Sequence, residues 1–479
     1  MGQLLVDLGV SLILVLGISQ FRTPRGARTG NLTAAFALAC AVAIVLARHS
    51  VAALPVMLVA GAAGIATGCA MALRVRMIQI PAMVAFQHGM GGVAAFLVSF
   101  VELVGQTGRS LSSLSEVSAL LGLCVGTATF SGSMVASGKL AGRIRQTPVI
   151  LAGHNVVLAA LSIGCVLLML AAGLADRAAV VAAVSATLFV VAAAWGVVFS
   201  VRIGGADMPV LISFLNATAG LAAALCGVAI RNQLLIVCGA TVAASGSILT
   251  HVMCRAMNRS LTNVFAGLRP ADAGLEAGPA TRAEAITPSR TCLENSPLPA
   301  EPLVQPETMD PFSRAIEAVR SAQSVIIVPG YGMALADAQE TTVRLAERLA
   351  SMGKSVLFAI HPVAGRMPGH MHVLLAEAEV DYGMIRELKD VNPQFAQTDL
   401  ALIVGACDVV NPAAIESQGT PISGMPILLA HEAGTVIVCN LDDRPGYSGV
   451  ENPLYRQPRT ILLLGDAKET LARLFRDLV

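Results

Sequence analysis

Charge is scarce in this chain. Asp, Glu, Lys and Arg make up 13% of its 479 residues, about half the share of an ordinary soluble domain. A wholly soluble protein is excluded on that ground, and a nucleic-acid partner is not expected. Paired cysteines are missing as well. Ten cysteines form no CxxC pair and no Cys/His cluster with zinc spacing, so neither a disulfide framework nor a structural zinc site is indicated. Seven of them (Cys40, Cys69, Cys124, Cys165, Cys226, Cys238 and Cys254) lie in apolar stretches and read as small packing residues. The N-terminus, MGQLLVDLGVSLILVLGIS, has no basic segment ahead of its apolar run. A cleaved signal peptide is therefore not expected. Val6 also breaks the myristoylation pattern.

What is abundant is apolar surface. Hydrophobic residues make up 55% of the chain and mean hydropathy is +0.71, which excludes disorder of the chain as a whole. The near-zero net charge hides an asymmetry. Residues 1–260 hold fifteen of the 32 Lys/Arg and five of the 31 Asp/Glu, about +10, and the remainder carries about −9. This pattern predicts a membrane half followed by an acidic, water-soluble half.

A helix needs about 20 apolar residues to cross about 30 Å of hydrocarbon. Nine runs qualify: 4–20, 31–47, 52–73, 82–101, 116–137, 150–174, 178–200, 208–229 and 233–254. The first two are short. Connections after odd-numbered runs carry eleven Lys/Arg, and those after even-numbered runs carry four. The positive-inside bias then puts the N-terminus outside and the C-terminal half in the cytoplasm. The runs are rich in Gly, Ala and Ser (GAAGIATGCAMA, HGMGGVAA, ATVAASGS), which lets membrane helices approach closely. A compact bundle is expected rather than a single anchor.

Polar groups at membrane depth are costly and mark function by default. His88 lies in PAMVAFQHGMGG and Asn216 in ADMPVLISFLNATAG, a run that Asp207 opens. An imidazole with an ordinary pKa near 6.5 can load and release a proton. The alternative is a neutral His or Asn bridging two helices by hydrogen bonds. His154 and His251 lie nearer run ends, where an interfacial position needs no function.

Residues 265–310 are rich in Pro, Ala and Glu without hydrophobic period, and read as a disordered tether. The expected division is a membrane domain over 1–260, a linker over 261–311 and a nucleotide domain over 312–479. The last alternates SRAIEAVRSA, SVIIVPG, a helix from Tyr331 to Gly353, SVLFAIHPV, HVLLAEAEV, DLALIVGA, PILLA, TVIVCN and TILLLGD. Five of these (SVIIVPG, DLALIVGA, PILLA, TVIVCN and TILLLGD) are read outright as strands. Strands alternating with helices predict a Rossmann-like, doubly wound parallel sheet. Ligands of such sheets lie beyond the strand carboxyl ends. There, Gly330-Tyr331-Gly332 begins a G-x-G-x-x-A turn suited to a pyrophosphate. HPVAGRMPGH offers Arg366 to an anion, and GACDVVNPAA places Asp408 at a strand end.

VPGYGMALADAQ, FAIHPVAGRMPGHMHVLLAEAEV, IVGACDVVNPAA, ISGMPIL, GYSGVENPLY and LLLGDAK resemble the beta subunit of the proton-translocating nicotinamide nucleotide transhydrogenases. So do FSGSMVASGKLAGRI, ADMPVLISFLNATAG and SGSILTHVMCRAMNRS in the membrane half. The resemblance runs in colinear order through nearly the whole chain, and is poor in the linker and the first two runs. It implies an AB-specific oxidoreductase and translocase in a bacterial inner membrane. This chain would bind NADP(H), an alpha subunit would hold NAD(H), and hydride exchange would be coupled to proton passage. Two copies of each subunit are implied. The implied cofactor residues are Gly330, Tyr331, Gly332, Val363, Ala364, Gly365, Arg366, Met367, Pro368, Gly405, Ala406, Asp408, Val409, Gly424, Met425, Arg444, Gly446, Tyr447, Asp466 and Ala467. No side chain need act as acid or base in the hydride step. His88, Asn216 and Asp207 fall on the proton path, and Asp408 on the coupling between the two halves.

Two positions depart from the pattern. Relatives in the family usually carry Lys-Arg-Ser after the VIV strand, gripping the 2′-phosphate of NADP; here the positions are Asn440, Leu441 and Asp442. A carboxylate suits a free 2′-hydroxyl instead, unless Arg444 takes the phosphate from a shifted position. Cys407 stands where Asn is usual. Two other readings stay open: a transporter with a nucleotide-sensing domain, and a degenerate paralogue serving assembly.

Overall fold

In the computed structural model, the described residues between 2 and 256 form nine long helices, each close to an apolar run of the sequence. The described residues are 2–20, 24–48, 53–75, 77–105, 114–145, 148–175, 177–204, 207–256, 260–266, 310–367, 369–418, 420 and 422–478. The helices are α1 (Gly2–Ser19), α2 (Pro24–Arg48), α3 (Leu54–Arg74), α4 (Ile80–Gly105), α5 (Leu114–Leu140), α6 (His154–Gly173), α7 (Ala178–Arg202), α8 (Met208–Ala229) and α9 (Gln233–Ala256). Among the described residues eight are long and apolar enough to cross a membrane. The shorter apolar stretch Val6–Ser19 belongs to α1.

Small residues set the packing of this unit. A Cβ on Gly92 of α4 would stand 2.6 Å from the Gly126 carbonyl oxygen and 2.8 Å from the Phe130 nitrogen of α5. The two backbones touch only because neither glycine has a side chain. Parallel helices α4 and α8 pack through Ala85 against Leu211 and Leu215, and through Ala95 against Ala222 and Cys226. A short helix α10 (Leu261–Ala266) packs Phe265 at a tilt against Phe199 and Phe214, with ring centroids 5.2 and 4.6 Å apart. The expected linker start at 261 therefore falls on a helix of this unit. The rest of the expected tether, residues 267–309, lies outside the described residues.

The second unit is a six-stranded, wholly parallel sheet. Its elements are α11 (Pro311–Ser321), β1 (Ser324–Pro329), α12 (Tyr331–Leu335), α13 (Gln339–Ser351), β2 (Ser355–Ile360), α14 (His370–Glu377), β3 (Ile385–Glu387), α15 (Leu388–Phe395), β4 (Leu400–Val404), α16 (Ala413–Glu416), β5 (Thr435–Asn440), β6 (Thr460–Leu464) and α17 (Ala467–Leu478). Strand order is β3-β2-β1-β4-β5-β6. All five residues of β4 are buried, as a strand covered on both faces requires. Phe395, Leu428 and Leu454 pack with Ile326, Ile403 and Val438. Helices α11, α13 and α17 pack with one another and against the strands, presenting Leu345, Leu349, Leu471 and Leu474 at helical spacing.

Two expectations need correction. PILLA is not a strand: it is an extended, buried loop. Pro426 lacks a donor, the Leu428 N–H goes to the Val409 carbonyl at 2.9 Å, and the Leu429 N–H to Asn392 Oδ1 at 3.2 Å. The helix expected from Tyr331 to Gly353 is two helices, broken where Asp337 adopts φ +51°. HVLLAEAEV, left unassigned by the sequence, is helical in its first part, and the edge strand β3 follows it. β3 has three residues, too few to show a period in the sequence.

Candidate functional site

The sheet reverses direction of winding between β1 and β4, which opens a crevice at the carboxyl ends of these neighbours. There the two backbones touch. Gly330 N–H donates to the Val404 carbonyl at 2.8 Å, Gly332 N–H to that of Gly405 at 2.8 Å, and Gly405 N–H to that of Cys439 at 3.0 Å. A Cβ on Gly330 would collide with the Gly405 carbonyl and stand 2.5 Å from the Ala406 nitrogen. Gly405 also holds φ +65°, a conformation that disfavours any L side chain. These glycines keep the crevice edge free of side chains, the fit a pyrophosphate needs. Helix α12 has only five residues, so the backbone rather than a long helix dipole is what the turn offers.

Loops from both sides reach this crevice. Tyr331 after β1 and Tyr447 after β5 bring their rings to 6.1 Å between centroids. Asp408, just past β4, fixes the Tyr447 loop: its carboxylate accepts the Ser448 N–H at 3.0 Å and the Ser448 hydroxyl at 2.6 Å. A Cβ on Gly446 would stand 2.9 Å from both carboxylate oxygens. Burial raises the Asp408 pKa, while the Ser448 and Tyr447 hydrogen bonds pull it down. Burial also raises the Cys407 thiol and pushes Cys439 up to about 12, so neither is an available thiolate.

On the other side, the loop after β2 carries Val363, which packs with Ala413, Ile422 and Met425. His361 anchors it. Its Nε2–H donates to the Pro426 carbonyl at 2.7 Å and its Nδ1 accepts the Val363 N–H at 3.2 Å, so the ring is neutral. His370 Nδ1 accepts the Arg366 N–H at 3.2 Å. Gly365 (φ +108°) and Gly369 (φ +72°) make the bends around Arg366 and Met367; Pro368 lies outside the described residues. Ala364 and Ala406 are buried, Val409 backs the sheet core, and Gly424 N–H donates to the Ala414 carbonyl at 2.8 Å.

Asp466 serves as a helix cap: it accepts the N–H of Lys468 at 2.9 Å and of Glu469 at 3.2 Å, with Ala467 buried behind it. The anchoring roles of His361 and Ser448 were not legible in the sequence; a lone His or Ser beside a strand end carries no local mark.

In the first unit, Ser99 and Cys226 lie 3.3 Å apart, 127 residues apart in sequence. The same offset relates Ala95 to Ala222, which share a cluster. It also sets His88 level with Leu215, one residue from Asn216. The two residues expected on a proton path therefore share one depth, on neighbouring helices. Both are half-buried, and no hydrogen bond joins either side chain to the described residues. Asp207 stands at the start of α8. Two loop cations from the charge tally need correction. Lys139 is fully buried, and its Nζ donates to the carbonyls of Val201 at 2.6 Å and Ile203 at 2.7 Å. Arg202 is buried too and donates to Asn155 Oδ1 at 2.7 Å. Lys139 thus satisfies carbonyls at the C-terminal end of α7, a role that sequence spacing conceals.

The family described as "NAD(P) transhydrogenase beta subunit" matches residues 3–477. A protein of Rhodospirillum rubrum named "NAD(P) transhydrogenase subunit beta" is 38% identical over 464 residues, 95% of each chain. The counterpart from strain ATCC 11170 gives the same figures. The chain belongs to the NAD(P) transhydrogenase beta subunit family.

The end of β5 is where the resemblance led Lys-Arg-Ser to be expected. Asn440 is turned inward, its Nδ2 donating to the Ala406 carbonyl at 3.0 Å and to the Tyr455 hydroxyl at 2.8 Å. Leu441 is 75% exposed. Asp442 accepts the Arg444 N–H at 3.1 Å, and its carboxylate lies 3.8 Å from Arg444 Nε.

Proposed function

We propose that this chain is the beta subunit of a proton-translocating transhydrogenase in a bacterial inner membrane. Its second unit faces the cytoplasm and binds the dinucleotide at the position that is NADP(H)-binding in such enzymes. A partner alpha subunit holds NAD(H), and the assembly contains two copies of each. The bound nicotinamides supply the hydride exchange between them. The chain's own residues hold and orient: Gly330, Gly332 and Gly405 admit a pyrophosphate, Tyr331 and Tyr447 flank the crevice, and Asp408 fixes the Tyr447 loop. In the membrane unit His88 loads and releases the proton, beside Asn216, with Asp207 at the start of the same helix α8. Coupling is reciprocal: protonation of the bundle and occupancy of the pocket bias one another, with Asp408 and its loop sensing the state.

The observation that carries this reading is the side-chain-free contact of Gly330 with Gly405 at the switch point of the sheet. The test is calorimetric titration of the full chain with nicotinamide dinucleotides, followed by hydride exchange with a transhydrogenase alpha subunit in vesicles. Saturable dinucleotide binding together with a pH gradient that builds during exchange supports the reading. No binding of any dinucleotide, or exchange at full rate with no gradient, overturns it.

A further inference from the structure

The two nicotinamide dinucleotides differ at one atom group, the 2′ position of the adenosine ribose. One has a hydroxyl there; the other has a phosphate of nearly two negative charges. Selecting the phosphate takes cations that face it. The carboxyl edge of this sheet is instead acidic. The segments leaving its strands carry Arg366, Lys389, Arg444 and Lys468 against Asp390, Asp408, Asp442, Asp443, Asp466 and Glu469, with Asp337 close by after α12. Lys468 Nζ lies 3.1 Å from Asp337, and Arg444 leans on Asp442 at 3.8 Å. Arg366 lies in the loop after β2, a strand three spacings from β5, about 14 Å across the sheet.

The dinucleotide must span the crevice between these loops, and the two sides are chemically unequal. The β2 side ends in neutral His361, and no carboxylate follows that strand before His370. The β5 side ends in Asp442. Asn440 is committed to Ala406 and Tyr455 and is 9% exposed. The first solvent-facing polar group past that strand end is the Asp442 carboxylate, about half exposed.

We infer that this chain takes the dinucleotide with a free 2′-hydroxyl, NAD(H), in preference to NADP(H), and that Asp442 is the specificity-determining residue. A carboxylate accepts a ribose hydroxyl proton in a hydrogen bond and repels a phosphate dianion. The inference rests on the dinucleotide reading above and changes which dinucleotide the pocket takes. Exchange assays supplied with NADPH would then report this chain as slow.

The test is calorimetric titration of the full chain with NADH and with NADPH under one buffer, for the wild type, Asp442→Asn and Asp442→Lys. Wild type is expected to bind NADH about tenfold tighter or more. Asp442→Asn narrows that ratio, and Asp442→Lys reverses it by strengthening NADPH. The discrimination grows as salt is lowered, since screening weakens repulsion. Tighter binding of NADPH by wild type overturns the specificity inference and leaves the dinucleotide reading standing, as does a ratio indifferent to Asp442→Lys. Binding of neither overturns both.

Discussion

His361 gives the nucleotide unit a defined acid weakness. Its ring is enclosed, with one nitrogen donating to Pro426 and the other accepting from Val363. Protonating Nδ1 would set a donor against the Val363 N–H. Burial, opposed by the Pro426 hydrogen bond, lowers its pKa from 6.5 to about 4. The unfolded chain then binds the proton first. Stability conferred by the neutral ring is complete above pH 6.5 and drains away as pH falls towards 4. The difference between the two pKa values corresponds to about 3 kcal/mol, of which about 2 kcal/mol is gone at pH 5. A domain of this size has only about 5–15 kcal/mol in all. All four tyrosines (Tyr331, Tyr382, Tyr447 and Tyr455) lie in this unit and the single tryptophan, Trp195, lies in the other. Second-derivative tyrosine absorbance during guanidinium unfolding of the full chain therefore reports the nucleotide unit. His361→Gln is expected to be less stable than wild type by about 1 kcal/mol at pH 7.5, from lost packing and the altered hydrogen bond. At pH 5 the gap closes or inverts, because glutamine has no proton to take up. His370, lowered to about 4 by burial and then by Arg366, titrates in both proteins and cancels in the comparison. Parallel loss of stability in the two proteins from pH 7.5 to 5 would refute the reasoning, as would a His361 ring that titrates near 6.5.

Gly330→Val is expected to abolish dinucleotide binding in calorimetry, since its Cβ would enter the Gly405 carbonyl; the strain is about 1–3 kcal/mol in unfolding. His88→Ala is expected to leave binding intact and to stop gradient formation in reconstituted vesicles; pumping at the wild-type rate would make His88 structural. Gly92→Val, aimed at the 2.6 Å approach to Gly126, is expected to lower the melting temperature of the membrane unit in detergent, read by Trp195 fluorescence. Phe395→Ala, deleting a fully buried ring under the sheet, is expected to cost about 3–5 kcal/mol in the tyrosine-monitored unfolding of the second unit.

Local sequence was enough for the elements whose burial is uniform along the chain. Apolar runs of about 20 residues can only be spanning or deeply buried helices, so α1 to α9 among the described residues lie close to where composition puts them. The strands β1, β4, β5 and β6 likewise announce themselves as apolar runs ending in glycine or polar turns. What remained hidden depends on partners distant in the chain. PILLA has strand composition, yet its donors meet Val409 and Asn392 rather than a neighbouring strand. β3 owes its three residues to an open edge at β2. Lys139 reads as a loop cation until the carbonyls of α7 are folded against it. Asn440 and Asp442 differ by two positions in sequence, and only the tertiary structure turned one into the core and left the other facing solvent. Composition and periodicity measure how much of a segment avoids water. Which polar atom meets which is set by chain crossings that no local window contains.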